Sequence, residues 1–341
     1  MDHIGIDLGS RESQVCVRND AGDIVEEARR STRKLAPWLA TRSPARVIME
    51  TCTEAFRLAG LARQHGHDVR VVAATLVRSL GVGQRGLKND VRDARTLSEA
   101  SCRINLPSVH IPTVASQEVK AICVSREALV RMRTVLVNRV RAYVRTRLGH
   151  PLRATPDTLP EKVRKALEAD AEGLPAHVER VLVVLETLRE QIDEADRELK
   201  TLAQDDVRMR RLMTVPGVGP VTATRFVAAL DDVNRFPDAA SVASYLGLIP
   251  VENTTGFRPK RTHLTRAGSP QVRWALGQAA WSLYRHRPKD PVVQWAKQIA
   301  TRRGSQVAIT ALARKLTHVL YAMWKHETTY DPARAARQVA A

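Results

Sequence analysis

Aromatic side chains are scarce in this chain, making up 4% of its 341 residues. A surface that stacks base after base on aromatic rings is therefore not expected to dominate, and backbone charge and shape carry more weight. Long hydrophobic runs are missing too. No apolar stretch approaches the ~18 residues of a membrane span, and neither a signal peptide nor a lipidation motif is readable. The expected location is therefore the cytoplasm, with no membrane partner. The four cysteines, Cys16, Cys52, Cys102 and Cys123, are widely spaced, with no C-x-x-C pair and no histidine at zinc-ligand spacing. They read as reduced, mostly buried thiols rather than as a disulfide framework or a zinc site. Acids are also in short supply, since 36 Asp and Glu face 54 Lys and Arg for a formal charge of +18. Such an excess points to a polyanionic partner, nucleic acid first.

What is present suffices for about two domains with a buried core. The first part reads as α/β. "HIGIDL", "SQVCVRN" and "IVEEARR" form strands of an antiparallel meander, with a turn at "DAGD". A short helix at "LAPWLATR", a strand at "ARVIME", a helix at "TEAFRLAGLARQHG" and a strand at "HDVRVVA" add a parallel portion. Sites in such sheets gather at the carboxyl ends of strands, where Asp7 and Glu50 stand. Residues 115–148 read as one long helix carrying Lys120, Arg126, Arg131, Arg133, Arg139, Arg141, Arg145 and Arg147. Its basic stripe fits a phosphate-tracking surface better than a merely solvated face. Val178, Val181, Leu185, Leu188, Ile192, Ala195, Leu199 and Leu202 then recur at spacings of three and four, the seam of a coiled coil. That seam could close on the basic helix or between subunits, and a subunit contact is favoured. The last part reads as mostly helical, and from Asn253 to Lys289 it holds no acid. The expected division is residues 1–110, 111–204 and 205–341.

In "GLKNDVRDARTLSEA", Asp90 and Asp93 lie three residues apart and share a face if the segment is helical. Alone, such a pair is explained by a helix N-terminus, whose macrodipole favours acids. With Asp7 and Glu50 the four carboxylates become a set suited to hard divalent cations, and a cation pair would relieve their repulsion. Two magnesium ions in such a site can stabilise attacking and leaving oxygens of a phosphodiester. "VPGVGPVT" resembles a helix-hairpin-helix, in which Gly217 and Gly219 let backbone N–H groups approach a phosphate. A glycine C-cap followed by a new helix is the alternative. The stretch "ENTTGFRPKRTHLTRAGSPQVRWAL" sets Thr254, Thr255, Thr262, Thr265 and Ser269 among Arg258, Lys260, Arg261, Arg266 and Arg273. A hydroxyl there could attack phosphorus while guanidiniums stabilise developing charge. Arg126, Arg133, Arg141 and Arg145 on the long helix, with Gly217, Gly219 and the basic residues from Arg258 to Arg273, are the expected nucleic-acid contacts. Ser269 is expected to contact phosphate.

These stretches together resemble one family over nearly the whole chain: the DEDD transposases of insertion elements that recombine DNA under a structured bridge RNA, related to the pilin-gene invertases. The resemblance rests on "GIDLGS", "VIMETCTEA", "KNDVRDARTLSEA", "VPGVGPVTA", "RFPDAASVASYLGLIPVENTTG" and "LTRAGSPQVRWALGQAAW" in that order. It implies an RNase H-like, RuvC-like amino-terminal domain, a coiled-coil segment and an all-α transposase domain. It implies that Asp7, Glu50, Asp90 and Asp93 hold Mg2+, with two ions expected, and that a hydroxyl of the second domain forms a covalent protein–DNA intermediate in an assembled dimer or tetramer. Its partners would be DNA, a bridge RNA and further copies of the chain. The family's serine before a glycine stands here as Thr255 before Gly256. Thr255 can be the nucleophile, Thr254 can substitute, or the second domain can have lost cleavage; the first is preferred, although threonine's extra methyl stiffens χ1 and crowds the attack. Alternatives are a metal-only nuclease of the Holliday-junction resolvase type and an inactive nucleic-acid-binding regulator. "GIDLGS" also resembles the phosphate loop of sugar kinases and actin-like ATPases, but their further loops cannot be placed.

Overall fold

The computed structural model describes residues 1–79, 89–170, 172–255 and 258–337; side chains at 78, 79, 253–255, 258–261 and 337 lie outside that description. The chain divides into two compact units, Met1–Thr113 and Val114–Ala341.

The first unit is built on strands β1 (His3–Asp7), β2 (Glu12–Arg18) and β3 (Ile24–Ser31), helix α1 (Leu35–Ala40), strand β4 (Arg46–Glu50), helix α2 (Ala55–Gln64), strand β5 (Asp68–Val72), and helices α3 (Ala74–Ser79) and α4 (Asp90–Arg103). The sheet order is β3-β2-β1-β4-β5. β1, β2 and β3 pair antiparallel, while β1, β4 and β5 run parallel. Alternation sorts the side chains. Ile4, Ile6, Val47 and Met49 pack with Leu35 and Leu39 of α1 and with Leu58 and Ala62 of α2. Ile48 and Val72 point to the other face, against Leu97 of α4. Covered on both faces, β1 and β4 can afford almost no polar residue until their last positions, which is why "HIGI" and "VIM" read as short apolar runs. β3 lies at the edge, and its solvent side carries Glu and Arg that discourage pairing with another strand.

The second unit begins with α5 (Val114–Leu148), α6 (Leu159–Glu168), α7 (Ala176–Asp205) and α8 (Val207–Leu212). It continues with α9 (Pro220–Leu230), α10 (Ala239–Tyr245), β6 (Pro250–Thr255), β7 (Arg258–Leu264), α11 (Pro270–His286), α12 (Pro291–Arg303), α13 (Ser305–Lys325) and α14 (Pro332–Arg337). α5 and α7 lie antiparallel: Arg126 meets Asp196 near one end, while Val144 shares a cluster with Val178 near the other. The seam of α7 is thus covered within the chain by α5 and by Val163 and Leu167 of α6, which corrects the favoured subunit contact. Apolar residues at three-four spacing need a cover, and the connection through α6 lets α7 fold back on the helix before it. A separate core unites α8 to α14 around Phe226, Leu276, Leu312 and Leu316. From it projects the two-stranded hairpin β6–β7, with Pro250 opposite Leu264 and Thr255 opposite Arg258. Among the described residues, no helix is long and apolar enough to cross a membrane.

Candidate active site

The acidic site begins with a missing side chain. His3 Nδ1 lies 2.6 Å from Ser101 Oγ, so the start of β1 meets the end of α4. Further along, a Cβ on Gly5 would come 2.3 Å from the Ala94 carbonyl oxygen and 2.6 Å from the Ser98 nitrogen. Glycine therefore lets the helix backbone rest directly on the strand. Strand and helix run in opposite senses, because helix numbers fall as strand numbers rise. From Gly5 to Asp7 the strand advances roughly 7 Å, matched by about four to five helical residues, which brings the first turn of α4 to the level of Asp7. Ser98 Oγ donates to Cys16 Sγ at 3.3 Å, and Arg95 forks onto Glu27 at 2.5 and 2.6 Å, tying the same helix to β2 and β3.

Period-two alternation then decides which carboxylates meet. His3 and Gly5 face α4, so Asp7 does as well; Ile48 faces α4, so Glu50 does as well. The pairing of β1 with β4 runs through Ile6 opposite Met49, which leaves Asp7 and Glu50 as neighbours at the carboxyl edge. Asp93 belongs to the sheet-facing stripe of α4 with Leu97 and Ser101 and is 5% exposed, whereas Asp90, one turn further out, is exposed. The helix is capped by Asn89, whose Oδ1 accepts from the Val91 nitrogen at 3.0 Å. Capping is therefore accomplished without the two aspartates, and a buried carboxylate such as Asp93 is costly unless donors or a cation offset it.

Donor chemistry and backbone placement thus suit a hard divalent cation: all four are oxygen donors, and three share one face at one edge. The side chains themselves stand apart. Among the described residues, no three His, Cys, Asp or Glu lie close enough together to hold a metal ion. The cysteines are free, with Cys16 and Cys123 buried and Cys52 exposed. Burial pushes the Cys16 and Cys123 thiols up, as expected of inert thiols.

In the second unit the basic stripe of α5 divides. Arg126 forks onto Asp196, Arg133 lies 3.6 Å from Asp157, and Arg141 Nη2 donates to the Ala154 carbonyl at 2.8 Å. Arg131, Arg139 and Arg145 are exposed. Gly217, at φ +91°, backs onto α11, where a Cβ would lie 2.6 Å from the Ala279 carbonyl oxygen, while Gly219 opens α9 into free space. Ser269 caps α11, its Oγ accepting from the Val272 nitrogen at 3.4 Å and donating to Gln271 Oε1 at 3.0 Å.

The base of the hairpin is a backbone clasp. Gly247 (φ +70°) and Gly268 (φ +69°) interlock: a Cβ on the first would stand 2.2 Å from the Ala267 oxygen, and on the second 2.2 Å from the Tyr245 oxygen. Arg266 takes a left-handed conformation at φ +55° beside them and is exposed. Arg273 closes the clasp, its Nη1 donating to the carbonyls of Leu246 (3.1 Å), Gly268 (3.2 Å) and Ala267. "YLGL" and "TRAGS" therefore hold the root of the β6–β7 hairpin, an element that sequence reasoning passed over. Thr254 and Thr255 lie on β6 and Arg258, Lys260 and Arg261 on β7, with their side chains outside the described residues, as is Gly256 altogether. Arg225 was also missed; it is 4% exposed and donates from Nη2 to Glu127 at 2.6 Å. Nothing but its single charge within the apolar helix "VTATRFVAAL" could have signalled it.

Comparison with known proteins agrees with this layout. A DEDD transposase model of the IS110 type matches residues 4–147, and one described as "Transposase IS116/IS110/IS902 family" matches residues 209–292. The transposase for insertion sequence element IS1328 of Yersinia enterocolitica is 30% identical, over 96% of this chain and 98% of the relative. A probable family 20 transposase of Pseudomonas aeruginosa is 28% identical over 97% and 99%. The transposase for insertion sequence element IS1111A of Coxiella burnetii is 27% identical over 96% and 90%.

Proposed function

The chain belongs to the IS110-type DEDD transposases, and from that premise we propose how it handles DNA: it cleaves and rejoins strands under a structured bridge RNA, using a RuvC-like acidic site and a threonine nucleophile. The observation that carries this reading is the convergence of Asp7, Glu50 and the first turn of α4 on one face of the sheet at its carboxyl edge. Asp7, Glu50, Asp90 and Asp93 would hold Mg2+, with two ions in the site. Bound there, magnesium would neutralise phosphate charge and polarise the scissile phosphorus. Thr255 Oγ1 forms the new bond to phosphorus; the P–O bond to the departing strand breaks, and that strand leaves as a hydroxyl, taking up a proton as the threonine loses one. Attack by a second strand's hydroxyl reverses the step and frees the threonine, so the phosphodiester energy is conserved through a covalent intermediate.

The charge pattern supports a division of labour. Exposed Arg131, Arg139 and Arg145 on α5 track RNA phosphates, and the acid-free stretch around β7 and α11 holds DNA. The chain works as a dimer or tetramer in which acidic site and nucleophile come together.

A metal-only nuclease of the resolvase type would use water instead of Thr255, and the covalent intermediate separates the two. With cognate RNA, Mg2+ and labelled element-end DNA, denaturing electrophoresis should reveal protein-linked DNA. Thr255→Ala should lose both the adduct and strand transfer. Wild-type cleavage without any adduct would identify a nuclease.

A further inference from the structure

The second unit contains a cavity of about 620 Å³, walled by α5, α9 and the clasp below the hairpin. Its size falls within the roughly 300–1,000 Å³ of pockets that enclose small ligands, and its walls are mostly apolar. The small side chains of Ala228 and Ala229 line it together with Val124, Leu246 and Tyr245, which is 41% exposed. An apolar lining that includes an exposed aromatic ring suits a base.

The charged side chains are both cations, Lys120 and Arg225, and among the described residues no carboxylate lines the cavity. Lys120 is exposed at one side. Arg225 lines another, and although its Nη2 is taken by Glu127, its Nη1 has no hydrogen-bond partner. That atom is closed to solvent, so what Arg225 offers the cavity is the positive charge of its guanidinium. Ser269 and Gln271 add the N-terminal turn of α11, a helix of 17 residues whose positive end also favours an anion. An apolar cavity carrying two cations and a helix N-terminus has the chemistry to receive a nucleotide, base on the apolar lining and phosphate by the cations. A duplex is too broad for such a cavity, so the nucleotide must leave its stack.

We propose that this cavity receives a single unstacked nucleotide of the DNA substrate, its base against Ala228 and Ala229 and its phosphate near Lys120, Arg225 and Ser269. The proposal rests on the transposase reading above and adds a substrate subsite to it. DNA is favoured over RNA because Leu246, Ala267 and Gly268 of the clasp form one wall. A nucleotide seated there is anchored at the root of the hairpin that carries Thr254 and Thr255. Unstacking next to the exchanged strands is what pairing with a new partner strand requires.

The test scans 2-aminopurine, whose emission rises on leaving the stack, through element-end duplexes bound to the full-length chain, with binding followed separately by gel shift. The proposal expects a severalfold emission rise at one position, lost in Ala229→Trp, which fills the slot, and retained in Ala229→Ser. Lys120→Gln should be stabilised less by dAMP than the wild-type protein is, which checks the phosphate end without altering the apolar lining. Binding with no emission rise at any position, or a rise that Ala229→Trp leaves intact, overturns the proposal while the transposase reading stands. A rise found only with 2-aminopurine in the RNA contradicts the DNA assignment. With cognate RNA present, failure of the wild-type chain to prefer element ends over random duplex refutes the proposed RNA-guided recombination and this inference with it.

Discussion

Gly5 sets the height of a helix. Any Cβ there meets α4 backbone rather than a flexible side chain, so the helix must lift to accommodate it. Gly5→Ala should cost about 1–3 kcal/mol by overpacking. It should also move Asp93 away from Asp7 and Glu50. Denaturant unfolding measures the first effect; metal-dependent cleavage by the still-folded fraction measures the second, and it should fall more than the lost stability explains. Lys315 offers a test of a different kind. It is 6% exposed on α13, and burial pushes its ammonium down to about 8. Below that pH both folded and unfolded chains carry the proton, and the full cost of burying the charge is present. Between about 8 and the unfolded value near 10.5 the unfolded chain binds more protons than the folded one, so the Lys315 contribution to stability rises with pH. Lys315→Met should raise the denaturation midpoint at pH 7 and lessen the gain between pH 8 and 10. Equal pH profiles for the two proteins would contradict this.

At the scale of elements, α7 tests how the long helices pair. Leu182 is fully buried in the cluster with Val144 and Val163, and Arg164 forks onto both Glu179 and Glu186 beside it. Leu182→Ala should cost about 2–5 kcal/mol through lost contacts and a residual cavity. Because the seam closes within the chain, the fall in melting temperature should not depend on protein concentration; a strong dependence would mean that subunits share it. These elements also mark what was legible beforehand. β1 and β4 were readable because strands covered on both faces are apolar until their ends, and those ends are Asp7 and Glu50. The helical period of α7 was equally plain, although Leu182 escaped the heptad count and the covering partner could not be read, since periodicity gives a face but not what lies against it. The hairpin was invisible because "ENTTGFRPKRTHL" lacks alternating apolar residues, and its root depends on backbone fit between segments about 20 residues apart. Arg126, Arg133 and Arg141 carried the same charge in sequence as Arg145, and only the fold shows that the first three reach Asp196, Asp157 and the Ala154 carbonyl, with Arg141 as exposed as Arg145.

For the whole molecule, the excess of +18 and the four acids belong to one account. Basic residues that remain exposed after intramolecular pairing provide affinity for nucleic acid, which should weaken steeply with salt. Under the proposed mechanism the carboxylates at the sheet edge would serve cleavage rather than that affinity. The direct measurement is therefore to follow Mn2+ binding by calorimetry, strand cleavage of element-end DNA and gel-shift affinity in parallel for the wild-type chain and Asp93→Asn. The account predicts that the asparagine variant loses metal heat and cleavage together while its DNA affinity stays at the wild-type level. Wild-type cleavage by Asp93→Asn would contradict it.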